Sequence, residues 1–223
     1  MLLSHIPSGV PTKLCTYPAN SYKQSTTIYS VSWTKDGSLI VGGEAGSVTL
    51  LGSSFQSIYN GKCGVFIDCV TEFDDGYLIM TGTDSQSNLQ PMTRKLEPRG
   101  VGFATTPAQP YCHVSLTTSS IVVVNRHEKS IDVYDRMTFK KLKSISTDSG
   151  NLRGIHALND NTVVVTDKNN SIVCLYNLKT GKPVWTFTGA KKPTAVSSDT
   201  GDFIYVAANA PKEICILSPD DGM

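Results

Sequence analysis

Short apolar runs separated by polar, Asp- and Gly-rich turns repeat along the whole chain. The turns Thr34-Lys35-Asp36-Gly37, Phe73-Asp74-Asp75-Gly76, Thr117-Thr118-Ser119-Ser120, Asn159-Asp160-Asn161 and Asp199-Thr200-Gly201-Asp202 begin at positions 34, 73, 117, 159 and 199, which are steps of 39, 44, 42 and 40 residues. Each leads into a nearly unbroken apolar run: Ser38 to Gly43, Tyr77 to Gly82, Ser120 to Asn125, Thr162 to Asp167, and Phe203 to Ala208. Such runs predict strands covered on both faces. A further run follows at Ser47 to Leu51, Ile131 to Asp135, Ile172 to Asn177 and Ile214 to Leu217, and an outer one at Phe55 to Tyr59, Val101 to Thr105, Phe139 to Ile145 and Val184 to Thr188. The second unit reads differently, with Thr83 to Pro91 as a long loop before a strand at Met92 to Leu96.

Four short strands per period of about 40 residues predict an all-β fold, a β-propeller of about five four-stranded blades. One such blade cannot bury both faces, and radial neighbours cover them. A sandwich or a solenoid of similar strands is the alternative. The fifth unit shows three strands. The N-terminal extension, residues 1–22, contains Pro11 to Tyr17, an extended stretch able to pair with the last unit and close the ring around the domain at 23–223. An incomplete six-bladed ring is the competing reading, and its open edge would be an aggregation hazard.

Composition supports the strand reading. Only five Glu occur in 223 residues, against 18 Gly and 11 Pro, so good helix formers are scarce. Twenty basic and 19 acidic residues leave a net charge of +1, which excludes a globally basic nucleic-acid binder. No apolar run approaches the roughly 20 residues that span a bilayer, and the start lacks the features of a secretory signal. The six cysteines form no C-x-x-C pair, which argues against structural zinc. Several lie within apolar strands and read as small buried hydrophobes, so a reducing, cytoplasmic setting is expected.

Two units carry a family likeness. Thr162-Val163-Val164-Val165-Thr166-Asp167-Lys168-Asn169-Asn170-Ser171-Ile172 with Asn177-Leu178-Lys179-Thr180-Gly181-Lys182, and Pro193 to Gly222, resemble NHL repeats, as in the C-terminal propeller of tripartite-motif NHL proteins. The aspartate that family places after the second strand is matched by Asp167. A WD-repeat propeller is the rival, since Leu175 to Lys182 also resembles one of its blade ends, although its Gly-His and Trp-Asp dipeptides are absent. The resemblance implies a non-catalytic recognition domain for protein or RNA. Ubiquitin-ligase activity in that family belongs to RING and B-box modules, which this sequence does not contain.

Chemical motifs are few. His113 and His156 fall in or beside first strands and read as packed or hydrogen-bonded groups, and His127 lies in a loop. Gly42-Gly43-Glu44-Ala45-Gly46-Ser47 lacks the Lys and helix of a phosphate loop and reads as a tight turn. Asp74-Asp75 and Asp220-Asp221 read as turn residues, and Trp33 and Trp185 as core. No cofactor or metal is expected.

Charge separates by end. Loops between second and third strands, with the linkers between blades, carry seven basic and five acidic residues; the opposite end carries eleven acidic and five basic. The first end concentrates Arg126, Lys129, Lys168, Lys191, Lys192 and Lys212 as candidate partner-binding residues. The leading expectation is a monomeric scaffold that binds a protein there. Single-stranded RNA binding at the same end and a hydrolase at the ring's central mouth are the alternatives.

Overall fold

The computed structural model describes residues 27–63, 66–82, 86–100, 102–107, 113–199 and 203–220. They form a five-bladed β-propeller of antiparallel meanders. The first blade comprises β1 (Ile28–Trp33), β2 (Leu39–Gly43), β3 (Ser47–Leu51) and β4 (Ser57–Lys62). The second is β5 (Phe66–Phe73), β6 (Gly76–Gly82), β7 (Gln86–Thr93) and β8 (Phe103–Pro107). The third is β9 (Val114–Leu116), β10 (Ser120–Asn125), β11 (Ser130–Asp135) and β12 (Lys141–Ser146). The fourth is β13 (Leu152–Ala157), β14 (Thr162–Asp167), β15 (Ile172–Asn177) and β16 (Lys182–Phe187). The fifth has three strands, β17 (Pro193–Ser198), β18 (Ile204–Asn209) and β19 (Lys212–Leu217).

The unbroken apolar runs serve two flanks at once, because successive side chains of a strand point to opposite faces. On β10, Ile121 and Val123 pack with Leu78, Met80 and Leu89 of the second blade, whereas Val122 and Val124 pack with Ile155, Val163 and Val165 of the fourth. On β14, Val164 turns the other way, into a cluster with Ile204, Val206 and Leu217 of the fifth blade. The first and second blades share Ile40, Val48 and Leu50 with Ile67, Tyr77 and Ile79. Each fully buried aliphatic side chain contributes roughly 1.5–3 kcal/mol, so these four clusters dominate the stability.

Among the described residues no hydrophobic cluster joins the fifth blade to the first. Val31 and Trp33 are 58% and 62% exposed on one flank, and Ile214 and Ile216 are 68% and 45% exposed on the other. Trp33 is therefore not core; its ring meets Phe55 edge-on with centroids 6.4 Å apart. Trp185 is part-buried, and its indole N–H donates to the Pro219 carbonyl at 2.9 Å. The closing strand expected at Pro11 to Tyr17 lies outside the described residues.

Several strand boundaries differ from the sequence reading. The second blade's third strand is Gln86–Thr93, earlier than Met92 to Leu96, and it runs through Pro91. The outer strands begin after Phe55 and Phe139, which occupy the turn before them at φ +59° and +58°. Leu96 (φ +61°) and Gly181 (φ +70°) hold the same place in the second and fourth blades. Their amides close the turn, as Phe139 N–H to the Asp135 carbonyl and Gly181 N–H to the Asn177 carbonyl, both at 2.9 Å.

Close approach of blades fixes one small residue. A Cβ at Gly154 would sit 3.1 Å from the Ala195 Cα on β17, a backbone atom that cannot swing aside. Gly154→Val is expected to lower the urea midpoint, at unchanged slope, by the equivalent of about 1–3 kcal/mol.

Candidate functional site

The first strands of all five blades line a central cavity of about 1080 Å³. Its wall is rich in hydroxyls, including Ser30, Ser32, Ser115 and Ser197, and two imidazoles, His113 and His156, face it. Burial holds the His113 pKa below the usual histidine value, and the Arg153 charge adds to the effect. Burial also lowers His156, whose Nε2 lies 3.0 Å from the Ser198 hydroxyl. Both rings are therefore neutral at pH 7. The cavity's carboxylates, Glu72 and Asp160, already accept from neighbouring blades. Among the described residues the one histidine–carboxylate pair is His127–Glu128, 3.1 Å apart in an exposed turn, and no cluster of three or more His, Cys, Asp or Glu is arranged for a metal.

At the end carrying the first-to-second and third-to-fourth turns, Glu72, Asp74 and Asp160 work as latches between blades. Glu72 accepts the Lys35 amide at 2.8 Å and pairs with Arg94 at 2.5 Å. Asp160 accepts the Thr118 amide at 2.6 Å and its hydroxyl at 2.5 Å, and these bonds lower its pKa. Arg136 spans the second and third blades. It donates to Asp74 at 2.8 Å and to the Thr117 carbonyl at 2.7 Å, with its guanidinium 5.1 Å from the Phe73 ring centroid. Arg99 pairs with Asp75. The Asp74-Asp75 turn thus keeps its structural reading and adds an inter-blade one. Asp36 is held by the Thr34 hydroxyl at 2.5 Å and the Ser38 amide at 3.1 Å within its own turn.

The opposite end carries the second-to-third turns and the linkers, and all six candidate residues lie there. Arg126 and Lys129 occupy the turn between β10 and β11, and Lys168 the turn between β14 and β15. Lys191 and Lys192 lie in the linker into β17, and Lys212 opens β19. Asn151, which the sequence reading missed, ties two of these sites. Its side-chain oxygen accepts from Arg126 Nε at 2.9 Å, and its carbonyl accepts the Lys168 amide at 3.0 Å. The Lys192 amide donates to Ser171 Oγ at 3.1 Å, and the Lys191 and Lys192 carbonyls accept the Ala210 and Asn209 amides at 3.3 and 3.2 Å. The backbones are anchored while Lys129, Lys191, Lys192 and Lys212 stay exposed. None of these four ammonium groups is ion-paired with a carboxylate among the described residues.

Asp167 organises this end. Its buried carboxylate accepts six hydrogen bonds: from Ser149 Oγ at 2.8 Å, the Gly150 amide at 2.7 Å, the Asn151, Asn169 and Asn170 amides each at 3.1 Å, and Asn170 Nδ2 at 2.9 Å. Burial by itself raises its pKa; the bonds from Asn170, Ser149, Gly150 and Asn151 outweigh it, and the net shift is downward. In the third blade the matching residue is Asn125, whose Oδ1 accepts the Glu128 amide at 3.0 Å and whose Nδ2 donates to Asp132 at 3.2 Å.

No protein-family model and no curated protein matches the chain. Solved structures do. The WD40 β-propeller domain of Doa1 superposes with a TM-score of 0.66 at 12% identity, over 88% of this chain and 67% of that one. A protein of unknown function from Bacteroides caccae superposes with a TM-score of 0.70 at 12% identity, over 88% of this chain and 80% of that one. At this identity the likeness shows the propeller fold alone.

Asp167→Ala strands buried donors and is expected to cost about 2–4 kcal/mol. The folded pKa lies below the unfolded one, so the carboxylate's contribution is complete above the unfolded value, about 4. It is lost as pH falls through the folded value. Denaturation from pH 7 to pH 2.5 should show the gap between wild type and Asp167→Ala closing in acid.

Proposed function

We propose that this chain is a non-catalytic interaction scaffold of the NHL-like kind, holding a protein partner at the linker end of its ring. The observation that carries the reading is the unequal use of charge at the two ends. Glu72, Asp74 and Asp160 at the hairpin end are engaged in inter-blade bonds, whereas exposed lysines at the linker end stand on anchored backbone with their ammonium groups turned to solvent. Lys129, Lys168, Lys191, Lys192 and Lys212, with Arg126 held by Asn151, make a face drawn from the third, fourth and fifth blades. Preordered loops on a rigid ring lose little entropy on binding. A partner that fits this face presents carboxylates. The likeness of the fourth blade to an NHL repeat is supported by Asp167, which fixes the turn bearing Lys168.

Charge reversal by Lys191→Glu with Lys192→Glu is expected to weaken capture of the partner in a pull-down by roughly tenfold, mainly through slower association. Unchanged capture would exclude this end. A gel shift with single-stranded RNA across a salt titration tests the rival ligand: steep loss of RNA binding with salt, with capture dependent on nucleic acid, would replace the protein reading.

A further inference from the structure

A cleft of about 190 Å³ lies on the fourth blade, between its strands and the linker that joins it to the third. Alternation along β15 shapes it. Val173 and Leu175 turn toward the fifth blade, so Ile172, Cys174 and Tyr176 turn toward the third, where Tyr176 packs beside Val163 and Val165. The floor is buried, from Leu152, Val165 and Cys174, whereas Asp148, Pro183 and Thr186 form an exposed rim. An apolar cavity of about 150 Å³ holds a benzene ring, so this cleft suits a group the size of one side chain.

Its charge is one-sided. Asp148 and Asp167 line the cleft, and among the described residues no Lys, Arg or His does. Every donor to Asp167 is neutral, so its charge is solvated by dipoles and not cancelled by a cation. The Asp148 carboxylate forms no ion pair among the described residues. Asn170 joins the two sites: its Nδ2 donates to the Asp167 carboxylate at 2.9 Å and to the Asp148 carbonyl at 3.3 Å. Burial pushes the Tyr176 phenol up, and Cys174 and the charges of Asp148 and Asp167 add to the effect, so the cleft wall keeps a neutral hydroxyl.

We infer that this cleft receives one basic side chain of the protein partner, its aliphatic stem along Leu152, Ile172 and Pro183 and its cationic head at Asp148. An anionic group would meet two carboxylates. A metal ion would find few free oxygens, since the roughly four lone-pair positions of a carboxylate are already taken on Asp167. A wholly apolar group would leave the charge unanswered. The attraction is stronger here than on open surface, because the apolar floor excludes water. That the side chain belongs to a protein partner rests on the linker-end reading. Thr147, next to Asp148, donates to the Lys129 carbonyl through its amide at 2.8 Å and its hydroxyl at 2.7 Å, and Lys168 follows Asp167. The cleft thus adjoins the lysine-bearing loops, and the partner it selects carries a basic residue among acidic ones.

A titration that needs no partner tests the cleft, so its failure is distinct from a failure of capture at the lysines. n-Butylguanidinium is added to the isotope-labelled full-length chain and amide shifts are followed by NMR, with n-butylurea as the neutral isostere. Saturable shifts in the millimolar range are expected at Asn170, Ile172, Cys174 and Thr186. Asp148→Asn should weaken the binding at least about threefold, and n-butylurea should bind at least about threefold more weakly than the cation. Thr186→Trp fills the rim from an exposed position of β16 and should abolish the shifts while the β14 amides keep their wild-type spectrum. The inference is overturned by shifts that do not saturate or that centre on the hairpin end. Equal binding of n-butylurea, or binding unchanged in Asp148→Asn or in Thr186→Trp, overturns it as well.

Discussion

The structure depends on sheets that carry two apolar flanks and cannot bury either alone. A four-stranded blade is one layer thick, so every inward-turned valine needs a neighbouring blade to leave water. This is why β10 and β14 are nearly unbroken runs of valine and isoleucine: alternate residues serve different neighbours. The four clusters between consecutive blades are one device repeated, and the exposed flanks of the first and fifth blades mark where it is not completed among the described residues.

Polar groups then fix the angle at which blades meet. The hairpin end does so with charge, through Arg136 on Asp74 and Glu72 on the Lys35 amide. Nearer the axis, neutral groups do the same: Ser30 Oγ accepts the Val70 amide at 3.0 Å, and Ser115 Oγ accepts the Ala157 amide at 2.9 Å. These bonds leave the hairpin end with less available charge than its composition implies. At the linker end most of the anchoring comes from backbone amides and carbonyls, and exposed lysines remain as surface. The asymmetry lies in how charges are used rather than how many there are.

The blade period, the central strands and the end at which each loop lies were legible because they follow from two-residue alternation and meander order. Less was legible in turns. Phe55, Leu96 and Phe139 adopt positive φ where a glycine such as Gly181 is the usual choice, so in the sequence Phe55 and Phe139 read as the start of a strand and Leu96 as the end of one. Pro91 reads in the sequence as the end of a long loop, yet it lies within β7. Trp33 reads as core from its strand pattern, but its flank is one that no described blade covers. Lys168 was legible as a charge; its tie to Arg126 through Asn151 depends on two loops meeting in space, which no local pattern reveals.

Shared burial between adjacent blades is measured most directly by a double-mutant cycle across one cluster. Val164→Ala on β14 and Val206→Ala on β18 remove side chains from the same cluster, one from each blade. The account predicts that the two losses are not additive, with a coupling of about 0.5 kcal/mol or more, while Val164→Ala and Ile40→Ala, which lie in separate clusters, add. Additive losses for Val164 and Val206 would mean that each blade keeps its own core, and would contradict the account.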